Sequence, residues 1–347
     1  MADVFAYLEG FGVSGGSPNK STIIVTAPTG SAVTCKMGST TKTATEKNGV
    51  WTFGGLDLGT WTITSTKGGD SATQDVVITR LTVEYVTIVY RITPEFTYTG
   101  DYEIVDDSDN PISDFASWKN NWKIRFLTSG TLTFTKLNGW NGQLDVFLVG
   151  GGGGGSLRAG GGGGYTKTSK NIRVSVGTRY AITIGAGGTG ANAGGSSSAF
   201  SITAEGGTGG YKNGRDGYPG NGGSGGANGA DDSAIGAAGG SDGSNGGSTS
   251  RGSGGTGQGT TTREFGNSSG KLYAGGGGGG AYTGVGGAGG AGGGGAGCQD
   301  ADDITPPANG QANTGGGGGG GSDFIEANKY SNGGSGIAIV RNAREAA

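Results

Sequence analysis

Four runs of uninterrupted glycine, Gly150–Gly155, Gly160–Gly164, Gly275–Gly280 and Gly315–Gly321, constrain what this chain can fold into more than any other feature. Polyglycine makes a poor helix and a poor strand, because each residue loses the most backbone freedom on ordering and brings no side chain to bury. Of the 86 glycines, 70 lie at or after position 150, so the feature belongs to one part of the 347-residue chain.

A glycine- and serine-rich tract can be a flexible linker. Against that, short segments of alternating apolar residues interrupt the glycine. Ile172, Val174 and Val176 alternate with Arg173 and Ser175; Tyr180, Ile182 and Ile184 follow, then Phe200 and Ile202, and finally Ile337, Ala338, Ile339 and Val340. That periodicity predicts strands with a buried face, and hence a folded sheet with glycine-rich excursions. The excursions have a period of three: Gly214, Gly217, Gly220, Gly223, Gly226 and Gly229, then Gly284, Gly287, Gly290 and Gly293. Three residues per turn is the repeat of the polyproline II helix. Collagen shares it but relies on proline, and only Pro219 falls in the first tract and none in the second. The expectation is a bundle of polyglycine II helices, their side-chain-free backbones hydrogen-bonded to one another and clamped by a conventional sheet.

Before position 150 the chain reads as ordinary β protein. The segments 21–26, 32–37, 50–53, 60–64, 75–79 and 83–90 are short and rich in β-branched and aromatic residues. Turn signals separate them, among them Pro28-Thr29-Gly30, Asn48-Gly49, Leu58-Gly59 and Gly68-Gly69. No stretch sustains a helical period. The fold class expected is therefore all-β: an N-terminal antiparallel β-sandwich over 21–92, then a β-sheet domain over 96–347 carrying polyglycine II helix bundle insertions.

Two sets of segments carry a family resemblance. Val25-Thr-Ala-Pro-Thr-Gly-Ser-Ala-Val33, Asn48-Gly-Val-Trp-Thr-Phe53 and Leu58-Gly-Thr-Trp-Thr-Ile-Thr64, in that order, resemble the carboxypeptidase-regulatory-like, or PEGA-type, β-sandwich, an accessory module. The stretch from Asn121 to Phe134, then Leu144-Asp-Val-Phe-Leu-Val149 running into glycine, then Gly333-Gly-Ser-Gly-Ile-Ala-Ile-Val-Arg341, resemble the glycine-rich domain of bacteriophage and prophage tail proteins, from about Phe96 onward. The resemblance implies a virion tail component facing the host. Its implied partners are other tail or baseplate proteins and a host-surface receptor, protein or glycan. It also implies a homo-oligomer, a trimer as in tail fibres, with residues 1–20 as a segment for virion attachment.

Other function classes find little support. Residues 1–10 lack a cationic start and a long apolar core, so no secretory signal is expected, and no run of apolar residues is long enough for a membrane helix; a virion protein made in the host cytoplasm fits both. The net charge of −3 comes without a basic cluster, which argues against a nucleic-acid partner. The absence of histidine removes the commonest general base and most zinc sites. Cys35 and Cys298 fall in different predicted domains and are read as a buried small hydrophobe and a free thiol in a polar loop. Gly185-Ala-Gly-Gly-Thr-Gly190 matches G-x-G-x-x-G, but no amphipathic helix follows it. The acidic groups Asp106–Asp109 and Asp300–Asp303 complete no calcium loop and read as solvated turns.

Binding is sought in the large side chains isolated within the glycine: Tyr211, Arg215, Tyr218, Arg251, Phe265, Tyr273 and Tyr282. Each is either a contact surface on a loop or a plug between the lattice and the sheet. Tyr211, Arg215 and Tyr218 form the tightest group and are the predicted receptor-binding residues. No catalytic residue, metal ligand or cofactor is predicted. The expected function is non-enzymatic receptor binding by a tail fibre or tail-tip protein. The alternative is a purely structural tail, baseplate or capsid-decorating subunit. An ice-binding surface would need a regular array of Thr or Ala, which the Asn, Asp, Ser and Arg between these glycines break.

Overall fold

In the computed structural model of the protein, the residues described are 20–67, 70–88, 93–118, 120–138, 140–213, 216–229, 236–249, 253–281, 284–299, 305–322 and 329–344. They belong to two compact units, one of Met1–Thr93, Ala116–Lys119 and Leu137–Asn141, the other of Pro94–Phe115, Asn120–Lys136 and Gly142–Ala347. Both are built of strands, as the sequence predicts, and the described residues contain only single turns of 3₁₀ helix.

The first unit contains β1 (Ser21–Thr26), β2 (Ala32–Met37), β3 (Thr40–Thr43), β4 (Val50–Leu56), β5 (Gly59–Lys67), β6 (Asp70–Ile78) and β7 (Val83–Thr87). They form a three-stranded sheet, β4-β1-β7, and a four-stranded sheet, β3-β2-β5-β6. Asn48 and Gly49 adopt φ of 53° and 76°, the type I′ combination, and Lys47 and Val50 exchange backbone hydrogen bonds across them. The apolar members of the alternating strands meet in one core, with Ile23, Trp51 and Phe53 from one sheet and Cys35, Trp61 and Ile63 from the other. The Trp61 indole N–H donates to the Asp57 carbonyl at 2.9 Å, which satisfies the polar end of this buried ring. β7 runs parallel to β1 while every other pair in the unit is antiparallel.

The second unit contains β8 (Glu95–Tyr98), β9 (Tyr102–Val105), β10 (Lys123–Phe126), β11 (Gly130–Lys136), β12 (Gln143–Val149), β13 (Gly155–Ser156), β14 (Thr166–Arg173), β15 (Arg179–Ile182), β16 (Ser197–Ala199), β17 (Ile202–Ala204), β18 (Tyr211–Asn213), β19 (Asp216–Tyr218), β20 (Tyr330–Ser331) and β21 (Ile337–Asn342). A five-stranded sheet, β14-β12-β21-β10-β9, lies against a three-stranded one, β15-β11-β8, with Tyr98 meeting Phe126 at 4.6 Å between ring centroids. β10 and β21 are buried on both faces. Register places Val146, Leu148, Ala338, Val340, Ile124 and Phe126 on the face toward the smaller sheet. The opposite face is divided. Phe147, Val149, Ile337 and Ile339 pack under Phe265, Tyr273 and Ala274, while Asp145, Arg341, Lys123 and Arg125 continue the same face as a charged patch. Phe200 is not in a strand: with Ser201 it forms the turn between β16 and β17, at φ of 50° and 62°.

The glycine runs grow directly out of the central strands. Beyond Val149 the chain continues as Gly150–Gly154, and consecutive residues donate to three different neighbouring rows. Gly150 and Gly153 donate to the carbonyls of Tyr165 and Gly162, Gly151 and Gly154 to those of Gly195 and Asn192, and Gly152 to that of Gly334. Every third residue therefore returns to the same row, as a threefold helix requires. The row from Gly160 repeats this: Gly160 and Gly163 donate to Ala227 and Ser224, Gly161 and Gly164 to Gly318 and Gly315, Gly162 and Tyr165 to Thr208 and Glu205. The positions where a Cβ would stand point at three further rows. On Gly150 and Gly153 it would overlap the carbonyl oxygens of Glu205 and Thr208, on Gly151 and Gly154 those of Ala186 and Gly190, and on Gly152 and Gly155 those of Gly316 and Gly319. Six rows thus surround one: three accept its N–H groups, and the three its Cα–H groups face donate back to its carbonyls, as Gly207 and Gly210 do to Gly151 and Gly154, Gly188 to Gly152 and Gly318 to Gly153, the hexagonal packing of polyglycine II.

The predicted triplets take part. Gly220 and Gly223 donate to Gly160 and Gly163, and Gly287 and Gly290 to Gly279 and Gly276; Gly214 lies outside the described residues. Cys298 lies not in a polar loop but buried in this lattice, its N–H on the Gly320 carbonyl. Gly185–Gly190 is also lattice, with Gly188 donating to Gly152, so its glycines serve packing.

Because a Cβ on Gly287 or Gly220 would overlap the carbonyl oxygens of Ala237 and Thr208, Gly287→Val and Gly220→Val are expected to destabilise the unit by roughly 3 kcal/mol or more. Asn221→Val, at an exposed position whose side chain accepts one bond from the Thr256 N–H, should cost only about 1 kcal/mol. Thermal or denaturant melts measure both, and equal small losses would show that the triplets do not pack as rows.

Candidate functional site

Among the described residues, two places in the second unit present chemistry to solvent. The first is the hairpin of β18 and β19, which pairs Tyr211 with Tyr218, Lys212 with Gly217 and Asn213 with Asp216. Its feet are fixed to the lattice, Gly210 donating to the Gly154 carbonyl and Gly220 to that of Gly160, both at 2.9 Å. The two tyrosine rings stack at 4.9 Å with an interplanar angle of 9° and remain 53% and 42% exposed. Stacking holds each ring in one orientation and leaves its outer face and phenol edge to water, so a partner would meet an ordered aromatic surface.

The second place is a cavity of about 370 Å³ at the charged end of the five-stranded sheet, lined by Asp107–Asp109, Lys123, Glu264, Phe265, Asn267, Ser269–Lys271 and Arg341. Lys123 is buried and bridges Asp109 at 2.5 Å and Glu264 at 3.2 Å. Arg125 reaches the same Asp109 at 2.5 Å. Arg341 pairs with the buried Asp145 at 3.0 Å and lies 4.0 Å over the Phe265 ring. Burial raises the affinity of Asp109 for a proton, but the adjoining cations Arg125 and Lys123 outweigh it and hold the carboxyl below its ordinary range. The wall at 264–271 is held from behind by Asp242, which accepts from the Thr261 hydroxyl, the Thr262 N–H and the Arg263 guanidinium and is acidified by them. Beside the cavity, Asp106 accepts from the Asn110 side chain and from the N–H groups of Asn110 and Ser108, which lowers its proton affinity and makes this acidic run a self-bonded turn. Among the described residues no three metal-ligating side chains come together, and no helix is long and apolar enough to cross a membrane.

The model of a family described as "Glycine-rich domain" matches residues 127–343, well over half of the chain. The chain belongs to this glycine-rich domain family. No curated protein matches it. Among solved structures, a DUF3823 family protein from Bacteroides ovatus ATCC 8483 is 14% identical, over 46% of this chain and 78% of that one, at a TM-score of 0.18, too slight a likeness to bear on fold or function. The match to the glycine-rich domain family spans β11 to β21, and so takes in the lattice, the tyrosine hairpin and the 264–271 wall of the cavity.

The structure brings Tyr211 and Tyr218 together; Arg215 lies outside the described residues, as do Arg251 and Tyr282. Phe265 and Tyr273 are not surface contacts but plugs, buried against Phe147 at centroid distances of 5.8 and 5.4 Å. The charged cavity escapes sequence reasoning because its lining is spread from Asp107 to Arg341. The one local signal is Lys123-Ile124-Arg125-Phe126, where two cations alternate with the apolar residues of a buried strand.

Asp109 provides a pH test. Its folded carboxyl titrates below the unfolded value of about 3.9, so its contribution is complete above that pH and is lost as pH falls through the folded value. Asp109→Asn should lower stability at neutral pH by roughly 1–3 kcal/mol, toward the lower end because Asp109 is partly exposed. It should also flatten the loss of stability that the wild type shows below about pH 4. Parallel acid melting profiles for the two proteins would contradict this.

Proposed function

We propose that this chain is a bacteriophage or prophage tail-fibre or tail-tip protein, without catalytic activity, whose glycine-rich domain presents the Tyr211–Tyr218 hairpin to a host-surface receptor. The observation that carries the binding role is the stacked, exposed tyrosine pair fixed at both feet to a hydrogen-bonded lattice. Large aromatic rings on a rigid frame contribute contact area with little further loss of freedom on binding. The tail assignment rests on the resemblance of the strands around Asn121–Val149 and Gly333–Arg341 to the tail proteins. In this reading the first unit is a PEGA-type spacer or docking module, residues 1–20 attach to the virion, other tail or baseplate proteins are neighbours, and the assembly is a homotrimer.

A structural subunit with no receptor site is the competing function, and the extensive backbone hydrogen bonding of the lattice favours it equally. The triple substitution Tyr211→Ala, Arg215→Ala and Tyr218→Ala separates the two. It is expected to abolish adsorption to host cells while leaving melting temperature and incorporation into virions unchanged. Wild-type adsorption by that variant would reject the hairpin as the receptor site, and copies buried away from the host-facing tip would reject the adhesin in favour of the structural role.

A further inference from the structure

We infer that the charged cavity binds a sugar residue bearing a carboxylate, such as a uronic or sialic acid unit of a glycan, at a site separate from the tyrosine hairpin. The cavity's size, about 370 Å³, falls within the roughly 300–1,000 Å³ typical of small-ligand pockets. Its lining carries three cations, Lys123, Lys271 and Arg341, and three acids, Asp107, Asp109 and Glu264. Lys123 is paired with Asp109 and Glu264, Arg341 with Asp145, and Asp107 with Arg344 at 2.5 Å. Lys271 stands apart from these pairs. It makes no ion pair among the described residues, and its ammonium stands 5.5 Å from the Tyr273 ring centroid, free to meet an incoming carboxylate.

The rest of the lining suits hydroxyl groups. The side chains of Ser108, Asn267 and Ser269 hold no hydrogen bond among the described residues, so they present free donors and acceptors at the rim. Asp109 and Glu264 offer carboxylate oxygens that accept from hydroxyls, without being released from Lys123. An apolar ligand finds no wall, because the single aromatic ring in the lining, Phe265, is covered by the Arg341 guanidinium. A bare anion would meet Lys271 but leave the hydroxyl and amide groups unused. A polyhydroxylated acid engages both sets.

The inference does not depend on the hairpin binding a receptor or on the tail assignment, and its test is independent of theirs. Calorimetric titration of the full chain with glucuronic acid and with N-acetylneuraminic acid should give saturable binding, with glucose and inorganic phosphate binding far more weakly. Lys271→Ala should weaken the acid by about tenfold, the loss of one charge-assisted contact, and Lys271→Arg should retain most of it. Ser269→Ala combined with Asn267→Ala should weaken glucuronic acid without changing the weak phosphate response. Because Lys271 is exposed, these variants are expected to melt with the wild type. Tyr211→Ala with Tyr218→Ala should leave acid binding intact. Absence of binding by either acid, equal binding of phosphate, or an unaffected Lys271→Ala variant would each overturn the inference.

Discussion

The structure depends on backbone meeting backbone with nothing between. Where Gly150 to Gly155 run, a Cβ at any position would overlap a carbonyl oxygen of an adjoining row, so the rows approach as closely as they do only because the side chain is missing. That closeness lets consecutive N–H groups find carbonyls on three different rows, and the period of three follows from it. A net gain of about 1 kcal/mol per hydrogen bond barely matches the roughly 1–2 kcal/mol needed to order each residue. An isolated row would melt, and a row with six neighbours does not.

The sheet supplies the boundary that such a lattice needs. β12 enters it at Gly150 and β21 leaves it at Gly336, so two paired, doubly buried strands fix the positions and directions of two adjacent rows. The side of this sheet away from β8, β11 and β15 does two jobs along its length. Its apolar end seats Phe265 and Tyr273, through which the glycine-rich chain is packed onto the sheet; its charged end contributes Lys123 and Arg341 to the lining of the cavity, with Asp145 paired to Arg341. The same loop thus closes the core with Phe265 and lines the cavity with Glu264, Ser269 and Lys271.

Much of the strand content was legible. β1 and β2 have the bounds that their apolar alternation predicts, and the Asn48-Gly49 turn forms as its residues require. The glycine triplets also declared their packing, because a period of three in the absence of proline leaves few ordered structures. β3 was missed: Thr40–Thr43 is an exposed edge strand with no buried alternate to reveal it. Phe200 misled because its apolar character suggested a strand where its backbone makes a turn, and Cys298 because its polar neighbours in sequence are not its neighbours in the lattice. Tyr211 and Tyr218 stood out by their isolation, but their stacking is a property of the hairpin register. The cavity depends on contacts between residues as distant as Asp109, Glu264 and Arg341, which no local pattern encodes.

The central claim is the threefold hydrogen bonding of the glycine rows, and trans-hydrogen-bond scalar couplings in isotopically labelled protein test it most directly. The account predicts couplings from the amide nitrogens of Gly150 and Gly153 to the carbonyl carbons of Tyr165 and Gly162, from those of Gly151 and Gly154 to Gly195 and Asn192, and from that of Gly152 to Gly334. These amides should also exchange slowly with solvent. Rapidly exchanging glycine amides with narrow random-coil shifts and no such couplings would contradict it.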